Sequence, residues 1–276
     1  MFIALHGPFG EDGTVQGMLE GAGLCYTGSG VAASALGMDK ALFKRLGRGL
    51  GLPVIDWLEV RAERWAGDRQ AVLAQRDAFT RRTGDQRLMI KPARLGSSVG
   101  MTLAHGPDER AGAIELALRH DTLALVERYV AGARELEVSV IGNDPDTLEV
   151  YGPGEVLSGR EFYDFAAKYT PGLSETSIRA ELPDALRAEI RRLAVEAYRS
   201  IGAEGFARVD FLATDGAIFV SEINTIPGFT PISLFPAMPA EGGYDFAMVC
   251  LRVVELALER CAGRARPGLR PEDLPR

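Results

Sequence analysis

The sequence is poor in the features that mark several common protein classes. Its three cysteines, Cys25, Cys250 and Cys261, form no CxxC pair and no even framework. The natural expectation is reduced thiols in a cytosol. No apolar run approaches the roughly 20 residues that a membrane helix needs, and no charged-then-apolar leader opens the chain. Positive charge is in deficit: 31 Lys and Arg stand against 38 Asp and Glu, a net charge of −7. This balance argues against a nucleic-acid partner, although a local cluster of Lys and Arg can still meet a phosphate inside an acidic protein. Repeats and low-complexity tracts are also absent. What remains is 276 residues with 46% hydrophobic and 25% charged content, enough for two cored domains.

Strand-like and helix-like patterns alternate along the chain. FIAL (2–5) reads as a core strand, followed by the loop Gly7 to Gly13 and a helix that Thr14 can cap, through Leu19. A helix is expected over Val31 to Leu50, ending at Gly51-Leu52-Pro53, then a strand to Val60 and a charged helix from Ala62 to Arg82. Leu88 to Pro92 and Met101 to Ala104 read as strands around the small-residue loop Gly96 to Gly100, and Pro107 to His120 as a helix. Three β-rich pieces follow (Ala124 to Val130, Glu135 to Ile141, Leu148 to Val156), then an irregular stretch from Phe162 to Ser177 and a helix from Pro183 to Gly202. A hairpin over Phe206 to Asn224 and a helix from Tyr244 to Arg260 complete the pattern, and residues 263–276 read as a disordered tail. A domain boundary is placed near Met38, giving an opening unit of residues 1–37 and a main unit of residues 38–262 with an internal boundary near 106–122.

The hairpin carries the most chemistry. Residues two apart on a strand share a face, so Arg208 and Asp210 point one way and Val209 and Phe211 the other. Glu222 and Asn224 share a face in the same manner. Were the two faces to coincide, two carboxylates, an amide oxygen and a guanidinium would meet in one patch. Hard oxygens of this kind suit Mg²⁺, and the arginine fork suits a phosphate. A two-residue turn at Asp215-Gly216 would pair Asp210 with Ser221 and put the carboxylates on opposite faces. A shared patch therefore requires a three-residue loop or one bulge. The plain alternative is a solvated face with a surface ion pair, against which stand the apolar flanks Phe206, Phe211, Phe219 and Ile223.

A second constellation is KPARLGSSVG, Lys91 to Gly100. A lysine ending a strand before a Gly- and Ser-rich loop lets backbone N–H groups approach phosphate oxygens. It is not the GxxxxGK[ST] loop, and a plain turn with a surface lysine explains it equally well when taken alone.

Taken together, MDK (38–40), KPARLGSSVG (91–100), FYDFAAKY (162–169), ARVDF (207–211) and EINTIPGFTPISLFP (222–236) resemble the D-alanine–D-alanine ligases, members of the ATP-grasp superfamily. HGPFGEDGTVQG (6–17) and YTGSG (26–30) resemble the same family's first domain. The resemblance is ordered and runs from His6 to about Arg260. It implies α/β and α+β architecture, an ATP-grasp fold preceded by a truncated Rossmann-like domain. By position it implies that Lys40 and Lys91 are the ATP-phosphate lysines, with Ser97 and Ser98 in the loop closing over the phosphates. Glu127 corresponds to the acid at the adenine and hinge segment, and Glu135 to the ribose acid. Asp210, Glu222 and Asn224 correspond to ligands of two magnesium ions (manganese being an alternative), and Arg208 to the residue that steadies the transferring phosphate. Lys168 and Tyr169 lie in the mobile covering loop; Gly228, Ser233 and Leu234 correspond to the second substrate's site, with His6 close to the substrates.

The activity so implied joins two D-alanines with ATP through an acyl phosphate, for peptidoglycan synthesis in the cytoplasm, by a homodimer. The same chemistry with a D-lactate, D-serine or other acceptor is an alternative, as is a weakly active nucleotide-binding remnant. Two departures stand out. The family's glycine-rich strand–helix segment before FIALHG, with an acid for the first substrate's amine, has no counterpart here, and Leu95 stands where many relatives carry an acid. The missing segment implies an exposed edge and reduced stability over residues 1–37.

Overall fold

The computed structural model describes residues 1–158, 174–231 and 233–263. Their core is two antiparallel sheets. The first has the order β1-β4-β2-β3, from β1 (Trp57–Arg61), β2 (Leu88–Pro92), β3 (Thr102–Ala104) and β4 (Leu123–Arg128). The second has the order β7-β6-β5-β8-β9, from β5 (Arg134–Ile141), β6 (Glu149–Ser158), β7 (Ser174–Ser177), β8 (Phe206–Thr214) and β9 (Ala217–Asn224). The chain passes from one sheet to the other between Arg128 and Arg134.

Each sheet is covered on one face by helices whose apolar sides the alternation of the strands matches. On the first sheet α5 (Arg69–Thr83) and α6 (Pro107–His120) bury Val72, Phe79 and Ile114 against Leu88, Ile90 and Val126. On the second, the helix Asp184–Ser200, here α7, packs Ile190, Leu193 and Ala197 against Val138, Val209 and Phe211. Burial along β8 alternates, with Val209 and Phe211 inside and Arg208 and Asp210 on the other face. That opposite face is the one left for chemistry.

Two expected helices are each broken in two by an aspartate. Instead of one helix over Val31 to Leu50, α2 (Val31–Met38) stops and α3 (Lys40–Gly49) starts afresh, because the Asp39 carboxylate accepts hydrogen bonds from the N–H groups of Ala41 and Leu42. The cap places Lys40 in the first turn of α3. Asp68 does the same between α4 (Ala62–Gly67) and α5, accepting from the Ala71 N–H. The first helix, α1 (Thr14–Gly21), is capped not by Thr14 but at Gly13, with Asp12 Oδ1 accepting from the Thr14 N–H at 2.9 Å.

The opening segment differs most from expectation. Residues 2–5 form no strand; among the described residues no β-ladder receives them. They run instead beside residues 25–27, where Ile3 donates its N–H to Thr27 Oγ1 and Thr27 its N–H to the Met1 carbonyl. Only Ile3 is buried, whereas Phe2, Leu5 and Phe9 are exposed. Ile3, Leu19 and Tyr26 share a core with Phe206, Phe235 and the last helix, α9 (Phe246–Gly263), through Val253 and Leu256; the short α8 (Leu234–Ala237) supplies Phe235. Gly28 sits at φ 87, and a Cβ there would lie 2.8 Å from Ile226 Cδ1, so only glycine fits this approach. Arg260 of α9 donates to the carbonyls of Tyr26 and Gly28 and stacks over the Tyr26 ring. Next to it, Cys25 and Cys261 are joined in a disulfide, 236 residues apart in sequence and 5.7 Å between Cα atoms. The expectation of reduced thiols is thereby corrected for these two; Cys250 is free. Their pairing depends on the docking of α9, which no local spacing reports.

Phe206 ties this junction together: it is fully buried, with ring centroids 5.3 Å from Phe235 and 5.9 Å from Phe229. Phe206→Ala is expected to lower stability by about 3–5 kcal/mol, as large core truncations do. Urea unfolding measures this; a loss below about 1 kcal/mol would contradict the packing.

Candidate active site

The two sheets enclose a cleft of about 540 Å³, with Lys91 and Glu127 on one side and Glu135, Arg208, Asp210 and Glu222 on the other. Its polar corner is made by the β8–β9 hairpin. The turn is the two-residue Asp215-Gly216 form, since Thr214 pairs with Ala217, and a bulge follows: Phe211 pairs with Val220 but Asp210 with Glu222. Ser221 is the extra residue. The bulge, one of the two arrangements the shared patch required, brings both carboxylates to the same face. Asn224 pairs with Arg208, and its side-chain amide donates to Asp210 Oδ2 at 3.0 Å.

Arg208 grips Asp210 with a two-pronged bond, Nε to Oδ1 and Nη2 to Oδ2, both at 2.7 Å, and lies 3.3 Å from Glu137. Burial alone would make the guanidinium easier to deprotonate, but Asp210 and Glu137 outweigh it and hold its pKa well above the usual arginine value. From the N-terminus of α3, Lys40 reaches across: its Nζ donates to the Leu95 carbonyl at 2.8 Å and pairs with Glu222 at 3.0 Å. Desolvation works against that ammonium, yet Glu222 keeps its pKa raised. Lys91, next to last in β2, pairs with Glu127 at 2.9 Å, and the other Glu127 oxygen lies 2.9 Å from Lys44. Burial opposes ionisation of Glu127, and the two lysines overcome it and hold its pKa below the usual carboxylate range.

The loop after Lys91 adopts a backbone that serine seldom takes: Ser97 and Ser98 lie at φ 53 and 57, next to Gly100 at φ 71. Successive left-handed residues of this kind concentrate at functional sites. The opening segment reaches the same place. His6 Nε2 would lie 3.7 Å from a Cβ on Gly96, and its Nδ1 is 2.9 Å from both Glu11 and the Ile226 carbonyl.

Of the residues singled out from sequence, Lys40, Lys91, Ser97, Ser98, Glu127, Glu135, Arg208, Asp210 and Glu222 line the cleft. Asn224 adjoins it through Asp210, and His6 through Gly96. Gly228, Ser233 and Leu234 do not line it: Ser233 Oγ accepts from the Thr230 N–H, a Cβ on Gly228 would stand 3.2 Å from that oxygen, and Leu234 is buried against Val156 and Met238. Lys168, Tyr169 and the tail lie outside the described residues. Sequence reading missed Lys44, Glu11 and Glu137. For two of them the spacing was a signal, since Lys44 stands one helical turn after Lys40 and Glu137 shares a strand face with Glu135, although nothing in the sequence marks Lys44 as buried or Glu11 as a partner.

Among the described residues no three His, Cys, Asp or Glu side chains gather as a metal cluster. The donor set at the hairpin is two carboxylates and an amide oxygen, hard ligands that suit Mg²⁺ better than a softer metal. Arg208 and Lys40 neutralise it in this structure.

Two antiparallel sheets closing on a polar cleft of lysines and carboxylates define the class, an α+β ATP-grasp protein. Residues 46–255 match the family model "D-ala D-ala ligase C-terminus" and residues 1–29 match "D-ala D-ala ligase N-terminus". The D-alanine–D-alanine ligase of Mycolicibacterium smegmatis is 45% identical over 269 residues, which cover 95% of this chain and 69% of the relative. That of Kineococcus radiotolerans is 44% identical over 268 residues, 94% of this chain and 69% of the relative. Among solved structures, the D-alanine–D-alanine ligase of Coxiella burnetii superposes with a TM-score of 0.81 at 32% identity, over 95% of this chain and 69% of that one. The D-Ala:D-Ser ligase VanG of Enterococcus faecalis gives 0.81 at 34% identity, over 93% and 72%. The chain belongs to the D-alanine–D-alanine ligase family.

The His6–Glu11 contact yields a titration. A hydrogen bond to the Glu11 carboxylate, opposed by burial, raises the His6 pKa above its ordinary 6.5. A raised histidine pKa stabilises the fold fully below the unfolded value and stops doing so as pH rises through the folded value. NMR of the imidazole should show His6 titrating above 6.5, with Glu11→Gln bringing it down. A His6 pKa that Glu11→Gln leaves in place would contradict the contact.

Proposed function

We propose that this chain is an ATP-dependent ligase that joins two D-alanines into D-alanyl-D-alanine, a peptidoglycan precursor, in the cytoplasm. The observation that carries the reading is the bulge that sets Asp210 beside Glu222 on the cleft face, next to Arg208. A carboxylate is a poor electrophile, so it must first be activated. The γ-phosphoryl group of ATP passes to a carboxylate oxygen of the first D-alanine, giving an acyl phosphate and ADP. The amine of the second D-alanine attacks the acyl carbon, the amine loses a proton, and the bond to the phosphate oxygen breaks to release inorganic phosphate. No side-chain nucleophile is needed, and catalysis is positioning and charge neutralisation.

In this reading Lys40 and Lys91 hold ATP phosphates, Ser97 and Ser98 close over them, and Arg208 steadies the group in transfer. Glu127 stands at the adenine and hinge segment, and Glu135 takes the ribose. Asp210, Glu222 and Asn224 are suited to hold magnesium, which supplies neutralisation of the phosphate charge when bound. His6 stands by the substrates, Gly228, Ser233 and Leu234 serve the second amino acid outside the cleft lining described above, and Lys168 and Tyr169 the covering loop. Residues 1–37 belong to the family's first domain, residues 38–262 act as the ATP-grasp unit, and the active form is a homodimer. Among the described residues no helix is long and apolar enough to cross a membrane.

Glu222→Ala and Asp210→Ala should each reduce turnover by orders of magnitude with the fold intact, the scale of transition-state charge stabilisation. ADP release with D-alanine, alongside D-serine and D-lactate as acceptors, reads both the loss and the acceptor. Near-native ADP release from Glu222→Ala would sink the assignment, and a preference for D-serine or D-lactate would correct the product.

A further inference from the structure

Lys44 is fully buried, lies behind the cleft and does not line it, yet ends on a residue that does. It sits on α3 one helical turn beyond Lys40. Its ammonium is 2.9 Å from Glu127 Oε1, 3.4 Å from the Ile55 carbonyl and 5.7 Å from the centre of the Trp57 ring. Glu127 Oε2 is 2.9 Å from Lys91. Two ammonium groups thus share one carboxylate, one from behind and one from the cleft.

We propose that Lys44 is a positioning residue for nucleotide binding: by engaging the Glu127 carboxylate from behind, it keeps Lys91 from being neutralised by that acid and leaves it a net positive charge to offer a phosphate. The charge count carries the argument. Burial and the nearby Lys91 lower the Lys44 pKa, against which the Glu127 carboxylate 2.9 Å away favours the ammonium. With Lys44 charged, two cations face one anion and the group keeps a net positive charge; without it, Lys91 and Glu127 make a closed neutral pair in a buried place, where an ion pair is hard to open. The inference rests on the reading of Lys91 as a phosphate ligand. A purely structural part for Lys44, fastening α3 to the first sheet, would weaken every ligand alike. The two roles separate in a ratio, the affinity for ATP over that for adenosine, which isolates the phosphate contribution.

Calorimetric titration of the full chain with ATP and with adenosine measures it. Lys44→Met is expected to lower the ratio about tenfold, the scale of one charge-assisted contact, with adenosine affinity kept. Lys44→Arg should hold the ratio, and Lys44→Met combined with Glu127→Gln should restore it by freeing Lys91. An unchanged ratio in Lys44→Met, or a parallel loss for both ligands, overturns the proposal. Lys91→Met separates the premise: if it lowers the ratio and Lys44→Met does not, only the Lys44 inference fails, and if it leaves the ratio unchanged, the reading of Lys91 fails and the inference with it. Should Lys44→Met not fold, Glu127→Gln alone decides, since a freed Lys91 holds or raises the ratio and a fall overturns the proposal.

Discussion

One extra residue, Ser221, decides which face of the second sheet carries Glu222. The Asp215-Gly216 turn by itself would set Asp210 against Ser221 and send the Glu222 carboxylate into the helix-covered side. There it would meet Val209, Phe211 and the apolar side of α7, where an unpaired charge is not tolerated. The bulge removes that conflict while leaving Val220 and Ile223 inside. The β8–β9 relations at the cleft's far wall follow from it, Asp210 beside Glu222 and Arg208 opposite Asn224, while the unbroken β5–β8 ladder separately sets Glu137 across from Asp210.

Charge is then compensated in short chains. Lys40 spans from the Leu95 carbonyl to Glu222, Lys91 and Lys44 hold Glu127, and Arg208 lies between Asp210 and Glu137. Buried ions without partners would shift toward neutrality. These have partners, and in the proposed function a phosphate or a metal ion takes the place of those partners. The first sheet supplies the cations Lys91 and, by way of α3, Lys40; the second supplies most of the carboxylates. A ligand rich in negative charge, with its counter-ion, suits the cleft because it exchanges one set of pairings for another. The opening segment adds His6 and Glu11 to the rim and is held by α9 through Arg260 and the Cys25–Cys261 bond.

Much of this was legible in the sequence, for identifiable reasons. Alternation along ARVDF and its apolar flanks reported both the strand and its polar face, because a half-buried strand must segregate its residues. That a shared face needs a three-residue loop or one bulge was deducible from strand alternation and turn length; which of the two occurs was not. Helix breaks at Asp39 and Asp68 were not, since an aspartate inside a helical pattern reads as a surface residue until its carboxylate is seen to cap the next turn. FIAL looked like a strand because apolar runs report burial, not hydrogen-bond partners; only Ile3 is buried, and the partners are the loop at residues 25–27. The disulfide and the burial of Lys44 depend on contacts made by distant elements, for which a single sequence carries no local sign.

The central claim is that the cleft activates a carboxylate by phosphorylating it, and the fate of an oxygen atom tests that most directly. With D-alanine labelled with ¹⁸O in its carboxylate, phosphoryl transfer followed by amine attack leaves one carboxylate oxygen on the departing phosphate. Mass spectrometry of the inorganic phosphate formed with ATP and magnesium should find one ¹⁸O atom per molecule of dipeptide made. Dipeptide accompanied by unlabelled phosphate, or by label recovered in AMP, would contradict the account.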